Sequence, residues 1–417
     1  MATEFRRIVM SVVKADLQSH LSQTNVQIKE QVKEQVKEQV KEQVKEQIAV
    51  SSVGNEPARS LLSEDAFVSM LYLERRRAER AQKRFVLMLV DVKRALDDGQ
   101  KNRTLSKIAS ALTNSTRETD ILGWYLENNL IGVIATELGD SSPKIVNDRL
   151  LAKVRSAFQQ IVGKEKSSMI SVSFHFYPEE FGEGESNPSV NVALYPDISR
   201  KEDSRKLELG VKRAIDILGS TAALLVFSPV LFMIAVIIKL TSKGPIIFRQ
   251  ERLGQYGQTF TFLKFRSMYT NCDPQIHQEY VNQFIAGQID GATEEGKKPI
   301  FKIQKDPRVT RVGRFLRKTS LDELPQFWNV LRGEMSLVGP RPPVAYEFRS
   351  YDVWHRRRVL EIKPGITGLW QVRGRSRTRF DDMVRLDLKY ARGWSIWLDL
   401  KILVQTPSAV FTGEGAH

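Results

Sequence analysis

Cysteine is almost missing from this chain of 417 residues. Cys272 stands alone, so an intramolecular disulfide is excluded and a reducing compartment is expected. Histidine is scarce as well. Neither His277 nor His355 has metal-ligand spacing with Cys272, so a zinc site is not expected. The opening stretch MATEFRRIVMSVVKADLQSH has no long uncharged apolar run, and no secretory signal is expected from it. Only one long hydrophobic run exists, Ile217–Ile238. The second half is also poor in acid. Residues 211–417 hold 32 Lys/Arg against 19 Asp/Glu, whereas residues 1–210 hold 31 against 30. A basic half suits nucleic acid, an anionic membrane surface or a phosphorylated substrate. The apolar run beside it favours the last two, and no nucleic-acid partner is expected.

Ile28–Gln47 is five consecutive copies of [I/V]-K-E-Q. A four-residue period advances the apolar position by about 40° per repeat on an α-helix, so the valines wind around it and form no straight seam. Glu30 and Lys33, with their copies, form i,i+3 pairs. The repeat reads as a solvated helical spacer in preference to an oligomerising coil. Ser51–Arg59 reads as a linker. Leu61–Tyr177 follows the order β-α-β-β-α-β, with strands at Phe85–Val92, Ile121–Leu126, Leu130–Thr136 and Met169–Tyr177. Helices are expected at Ser63–Arg84, Leu105–Glu118 and Pro143–Ile161. That order is ferredoxin-like. Pro178–Arg205, polar and rich in Gly, Pro and Ser, reads as a second linker.

Ile217–Ile238 runs 22 residues without a charge, long enough to span a bilayer. Two features argue against a simple span. Pro229, after Ser228, removes a backbone hydrogen bond at mid-depth. Lys212 and Arg213 flank one end and Lys239 and Lys243 the other, so no positive-inside bias exists. By these residues alone, a span and a re-entrant helix–break–helix both stay open. Trp394–Phe411, with Trp394 and Trp397, is a candidate interfacial segment.

The richest stretch is Leu316–Pro342, LRKTSLDELPQFWNVLRGEMSLVGPRP. Asp322 and Glu323 sit at an expected helix start, with Arg317 and Lys318 before them and Arg341 after, in a Pro-rich turn. Guanidinium groups bind phosphate oxygens in a bidentate fork, and carboxylates serve a divalent metal or act as nucleophiles. The structural alternative is a capping box, Ser320 with Glu323, with Asp322 complementing the helix dipole.

The neighbouring motifs favour phosphoryl transfer. The run KRAID at Lys212–Asp216, GPIIFRQERLG at Gly244–Gly254, KFRSM at Lys264–Met268, DPRVTRVGRFLRKTSLDELPQ at Asp306–Gln326, MSLVGPRP at Met335–Pro342 and KPGITGLWQVRGR at Lys363–Arg375 closely resembles the monotopic phosphoglycosyl transferases, or bacterial sugar transferases. The resemblance covers most of Lys212–Thr412. It implies transfer of a sugar-1-phosphate from a UDP-sugar to polyprenyl phosphate, on the cytoplasmic face of a bacterial inner membrane. It implies a mainly helical, membrane-associated domain at 207–417, with a re-entrant membrane helix at 214–240 broken at Ser228-Pro229. Asp322 is then the nucleophile, forming a covalent phosphosugar with release of UMP. Glu323, with Asp322, is the candidate Mg²⁺ ligand. Arg317 and Arg341 match phosphate-contacting arginines. Lys264, Arg266 and Arg375 match other basic positions, and Asp387 and Asp399 match acidic positions that are either functional or structural ion pairs. Membrane lipids are implied partners, and a homodimer is left open.

The α/β domain at 61–200 also faintly resembles a GGDEF nucleotide-cyclase domain. Asp120 precedes the central hairpin, but the signature loop is replaced by Glu127-Asn128-Asn129, and only Asp91 remains at a metal-carboxylate position. It reads as degenerate and non-catalytic. A competing function is a membrane-tethered nucleotide sensor, or a scaffold of a polysaccharide assembly. The acidic pair among arginines favours the enzyme, because a binding module has no need of it.

Overall fold

The computed structural model describes residues 61–96, 101–139, 142–179, 190–270, 275–289, 306, 308–374 and 378–411. The [I/V]-K-E-Q repeat, the linker Ser51–Arg59, Cys272 and Arg375 lie outside them.

The first domain runs α1 (Glu64–Ala81), β1 (Phe85–Asp91), α2 (Lys101–Ser115), β2 (Ile121–Leu126), β3 (Leu130–Ala135), α3 (Pro143–Ile161), α4 (Lys164–Ser168) and β4 (Ser171–Tyr177). Its sheet has the order β2-β3-β1-β4, antiparallel throughout, which is the ferredoxin-like arrangement expected from the sequence. Central β1 is buried on both faces, and its alternation assigns them. Phe85, Leu87 and Leu89 pack with Phe67 and Leu71 of α1, whereas Met88 and Val90 pack with Ile108, Leu112, Val154 and Phe158 of α2 and α3. At the β2–β3 turn Asn128 takes φ 62°, a left-handed conformation that Asn tolerates.

Of the expected linker at 178–205, the described residues 190–205 pack against the protein. Asn191 accepts a hydrogen bond from Ala193 N–H and caps a 3₁₀ turn at Val192–Leu194. Pro196 then opens α5 (Pro196–Ser204), as proline does at a first helical turn. Val190, Leu194 and Tyr195 are buried in one cluster with Phe348, Tyr351 and Leu360 of the second half. Arg356 donates to the Glu179 carbonyl at 2.9 Å, and Gln255 to the Glu202 carboxylate at 2.6 Å. The two halves therefore share a core.

The second half opens with α6 (Lys206–Val226) and α7 (Ser228–Thr241), which meet at Phe227 with a 60° bend. Pro229 lies in the first turn of α7, where its missing N–H costs nothing, so the break falls just ahead of it. Among the described residues no single helix is long and apolar enough to cross a membrane. The bent pair is nonetheless strongly apolar outside. Leu218, Leu225, Val226, Phe232 and Leu240 are all exposed, Leu240 by 80%. The base of α6 is locked to protein by the KRAID residues. Lys212 pairs with Asp399 at 2.7 Å and donates to the Val338 carbonyl. Arg213 donates to the carbonyls of Val330 and Leu331. Asp216 accepts from Ser336 Oγ at 3.0 Å and Leu337 N–H at 2.8 Å.

The hairpin of β5 (Ile247–Leu253) and β6 (Thr259–Phe265) follows, then α8 (Gln275–Ile285), α9 (Arg311–Thr319) and α10 (Gln326–Arg332). β7 (Ser336–Val338) pairs in parallel with β8 (Gly365–Thr367) across α11 (Ala345–Arg349) and α12 (Val353–Leu360). Three helices close the chain: α13 (Leu369–Arg373), α14 (Phe380–Arg392) and α15 (Ile396–Phe411). Trp394 is buried, but Trp397 and Val404 on α15 are exposed.

Candidate active site

Asp322 and Glu323 lie in a 3₁₀ turn, Leu321–Glu323, between α9 and α10 and against β6. The capping box does not form. Ser320 ends α9 at φ 56°, and its side chain makes no cap hydrogen bond. The left-handed Ser320 reverses the chain and turns the acidic pair inward, so Asp322 is buried.

Four cations face the pair. Arg317, in the last turn of α9, donates its Nε–H to Ser267 Oγ at 2.9 Å. That contact requires α9 to lie directly on the KFRSM segment. Gly313 permits it, since a Cβ there would sit 2.0 Å from the Ser267 carbonyl oxygen. Arg341 projects from the turn after β7, which is held by backbone bonds from Gly339 N–H to the Thr367 carbonyl and from Gly365 N–H to the Pro340 carbonyl. Arg358 also donates to the Arg341 carbonyl at 3.3 Å. Lys264 on β6 faces Asp322. Burial, reinforced by the neighbouring Arg252 charge, pushes its ammonium down to about 8.

Arg252 is the fourth, and the sequence reading missed it. Its guanidinium lies 4.2 Å from the centre of the Phe262 ring, donates to the Pro342 carbonyl at 2.9 Å and forks onto Gln250 Oε1. It faces Glu323 and Arg341, and burial brings it down to about 10. The available signal was strand alternation, which puts Arg252 and Gln250 on one face of β5 and Arg249 and Glu251 on the other.

Burial, and next the charge of Asp322, pushes the Glu323 carboxyl up to about 7, against Arg341, Lys264 and Arg252. Among the described residues no three His, Cys, Asp or Glu side chains gather as a metal cage. The chemistry of two adjacent carboxylates fits Mg²⁺, which takes one or two carboxylates and keeps several waters.

Other expected site residues lie elsewhere. Arg266 donates to the Ser242 carbonyl and hydroxyl, at 2.8 and 2.7 Å, and so ties down the end of α7. Asp387 forms a buried ion pair with Arg358 at 2.8 Å, and burial pushes its carboxyl up to about 6. Asp399 accepts from Lys212, Tyr390 and Trp394. All three make their contacts within the fold. Ser228 donates to the Leu225 carbonyl at 2.8 Å, within the break itself.

An acidic pair ringed by two strand cations and two arginines, in a domain that carries a bent apolar helix pair, suits phosphate groups delivered near an apolar surface. The chain belongs to the bacterial sugar transferase family, whose profile matches residues 207–413. It is 46% identical over 207 residues to the galactosyl transferase CpsE of Streptococcus agalactiae serotype III, covering 49% of this chain and 43% of that protein. It is 44% identical over 210 residues to the undecaprenyl-phosphate galactose phosphotransferase of Salmonella typhimurium, covering 50% and 42%. It is 41% identical over 209 residues to the exopolysaccharide production protein ExoY of Rhizobium meliloti, covering 49% of this chain and 88% of that one. The chain thus spans less than half the length of the first two and most of the third. Among solved structures, a DGC protein from Thermotoga maritima is 19% identical with a TM-score of 0.24, over 30% of this chain and 88% of that one. The GGDEF domain of DgcB from Caulobacter crescentus is 13% identical with a TM-score of 0.22, over 30% and 77%.

Proposed function

We propose that the protein transfers a sugar-1-phosphate from a UDP-sugar to undecaprenyl phosphate, releasing UMP and starting the assembly of an exopolysaccharide, capsule or related glycoconjugate. The observation that carries this reading is the buried Asp322 beside Glu323, faced by Arg252, Lys264, Arg317 and Arg341. A carboxylate oxygen of Asp322 attacks the sugar-bearing phosphorus, and the phosphoanhydride bond to UMP breaks. An oxygen of the lipid phosphate then attacks the same phosphorus and regenerates the Asp322 carboxylate. Aspartate suits this role because it is ionised at neutral pH and needs no base. The four cations neutralise the diphosphate and the charge that develops in each transfer. Glu323 and Asp322 would hold Mg²⁺, which supplies further charge neutralisation on the phosphate oxygens.

The membrane reading rests on the exposed apolar surface of α6 and α7 and on their 60° bend. Both ends of the pair then lie on the cytoplasmic face of the inner membrane, as a re-entrant element. The test is UMP release by the purified full chain in nanodiscs, with undecaprenyl phosphate and a panel of UDP-sugars. One donor should give UMP only when the lipid phosphate is present beyond a single turnover. Failure of every donor, with a folded protein, would contradict the proposal.

A further inference from the structure

We propose that a second site, in the cleft between the first domain and the transferase half, binds a nucleotide. The cleft has a volume of about 630 Å³, within the usual range for small-ligand pockets. Arg76 of α1 lines one wall. Trp354 and Arg357 of α12, with Arg385, Lys389 and Arg392 of α14, line the other. No carboxylate is among the lining residues, and none of them takes part in the Asp322 site.

Positions 385, 389 and 392 recur at i, i+4 and i+7, so α14 presents three cations along one face. Lys389 and Arg392 have no ion pair among the described residues. Arg76, Arg357 and Arg385 pair only with residues three or four positions away, Glu79, Glu361 and Asp382. The exposed Arg385–Asp382 pair is weak and yields readily to a phosphate, whereas the mostly buried Arg357–Glu361 pair holds its guanidinium at the wall. The fold has thus gathered five cations from three helices with no partner held in common. Bulk solvation of surface charge does not call for such convergence in a concave space.

Trp354 selects the ligand class. Its half-buried indole is backed by the His355 ring at 4.1 Å between centroids, which fixes it as a wall of the cleft. An inorganic oxyanion has no use for an aromatic wall. A nucleotide does, because a base stacks on indole while its phosphates take the arginines and Lys389. The ligand would bridge α1 to α12 and α14. Arg358, adjacent to Arg357, is paired with Asp387 of α14 and donates to the Arg341 carbonyl, so the cleft lies one ion pair from the active-site turn.

The test uses the full chain in nanodiscs and titrates ATP, GTP and inorganic tripolyphosphate by calorimetry. ATP or GTP should bind, and Lys389→Glu with Arg392→Glu should weaken it about tenfold or more. The milder Lys389→Gln with Arg392→Gln should act in the same direction with an unchanged melting temperature. UDP-sugar turnover without added nucleotide should match the unsubstituted protein. Trp354→Leu should weaken the nucleotide and leave tripolyphosphate unchanged. The proposal is overturned if neither nucleotide binds, or if binding ignores both charge variants. It is also overturned if tripolyphosphate binds as tightly as the nucleotides and Trp354→Leu has no effect, or if only anionic lipid vesicles respond to the charge variants.

Discussion

At the scale of residues, Asp322 and Glu323 are neighbours in sequence with opposite demands. Asp322 must be charged to attack, and its charge is part of what lifts Glu323 to about 7. The consequence for stability has a definite sign. Glu323 binds its proton more tightly in the folded state than in the unfolded one, so its contribution to stability falls as pH rises from about 4.5 to about 7. Glu323→Gln, which removes that titration, should therefore raise the melting temperature of the metal-free protein at pH 8 relative to pH 4.5, while lowering activity. An equal shift at both pH values would argue against a raised Glu323. Arg252→Met should reduce kcat/KM by about 10²-fold, as loss of a preorganised cation at a transferring phosphoryl group does. A kinetically silent variant would remove Arg252 from the site. The acidic pair with Arg317 and Arg341 was legible within one stretch of sequence, whereas Lys264 entered only through the family resemblance, on the same footing as Arg266 and Arg375. Arg252 was not legible. Its burial depends on Phe262 and Pro342, 10 and 90 positions away in sequence. Ser320 with Glu323 misled in the other direction, since a capping pattern in sequence does not reveal a left-handed residue.

At the scale of elements, the first domain was legible because its short apolar runs, such as Phe85–Asp91 and Leu130–Ala135, stand apart from longer amphipathic helical segments. The segment at 190–205 was not, since a polar, Pro-containing composition hides the burial of Val190, Leu194 and Tyr195. The bent pair of α6 and α7 was legible as a broken apolar run, and the protein-side clamp at its base was not. That clamp gives a prediction. Asp399→Asn leaves Lys212 buried without its charge partner and should cost about 3–5 kcal/mol, measured by denaturant unfolding in detergent, with the Asp322 site chemically intact. A loss below about 1 kcal/mol would mean that the ion pair contributes little. The topology is tested separately. Single cysteines near Arg213 and Lys243, in a Cys272→Ser background, should react equally with an impermeant reagent from one side of the membrane. Labelling from opposite sides would establish a full span.

For the whole molecule, the sequence suggested two units joined by a linker, and the structure joins them through a shared core. A chain starting near Leu207 keeps every residue of the Asp322 site but loses Tyr195 and Leu194 from the cluster around Phe348 and Tyr351. It should retain turnover in nanodiscs and melt at a lower temperature, and a folded, membrane-bound yet inactive truncation would show that the first domain completes the site. The account as a whole turns on Asp322. Its most direct test is intact-mass and peptide analysis of the full chain after incubation with the active UDP-sugar and no lipid acceptor. The account predicts a stoichiometric burst of UMP and a sugar-phosphate adduct on the peptide that carries Asp322. Both should be absent in Asp322→Asn, and the adduct should discharge when undecaprenyl phosphate is added. UMP release that strictly requires the lipid, with no adduct at any time, would contradict the covalent route and leave Asp322 another task.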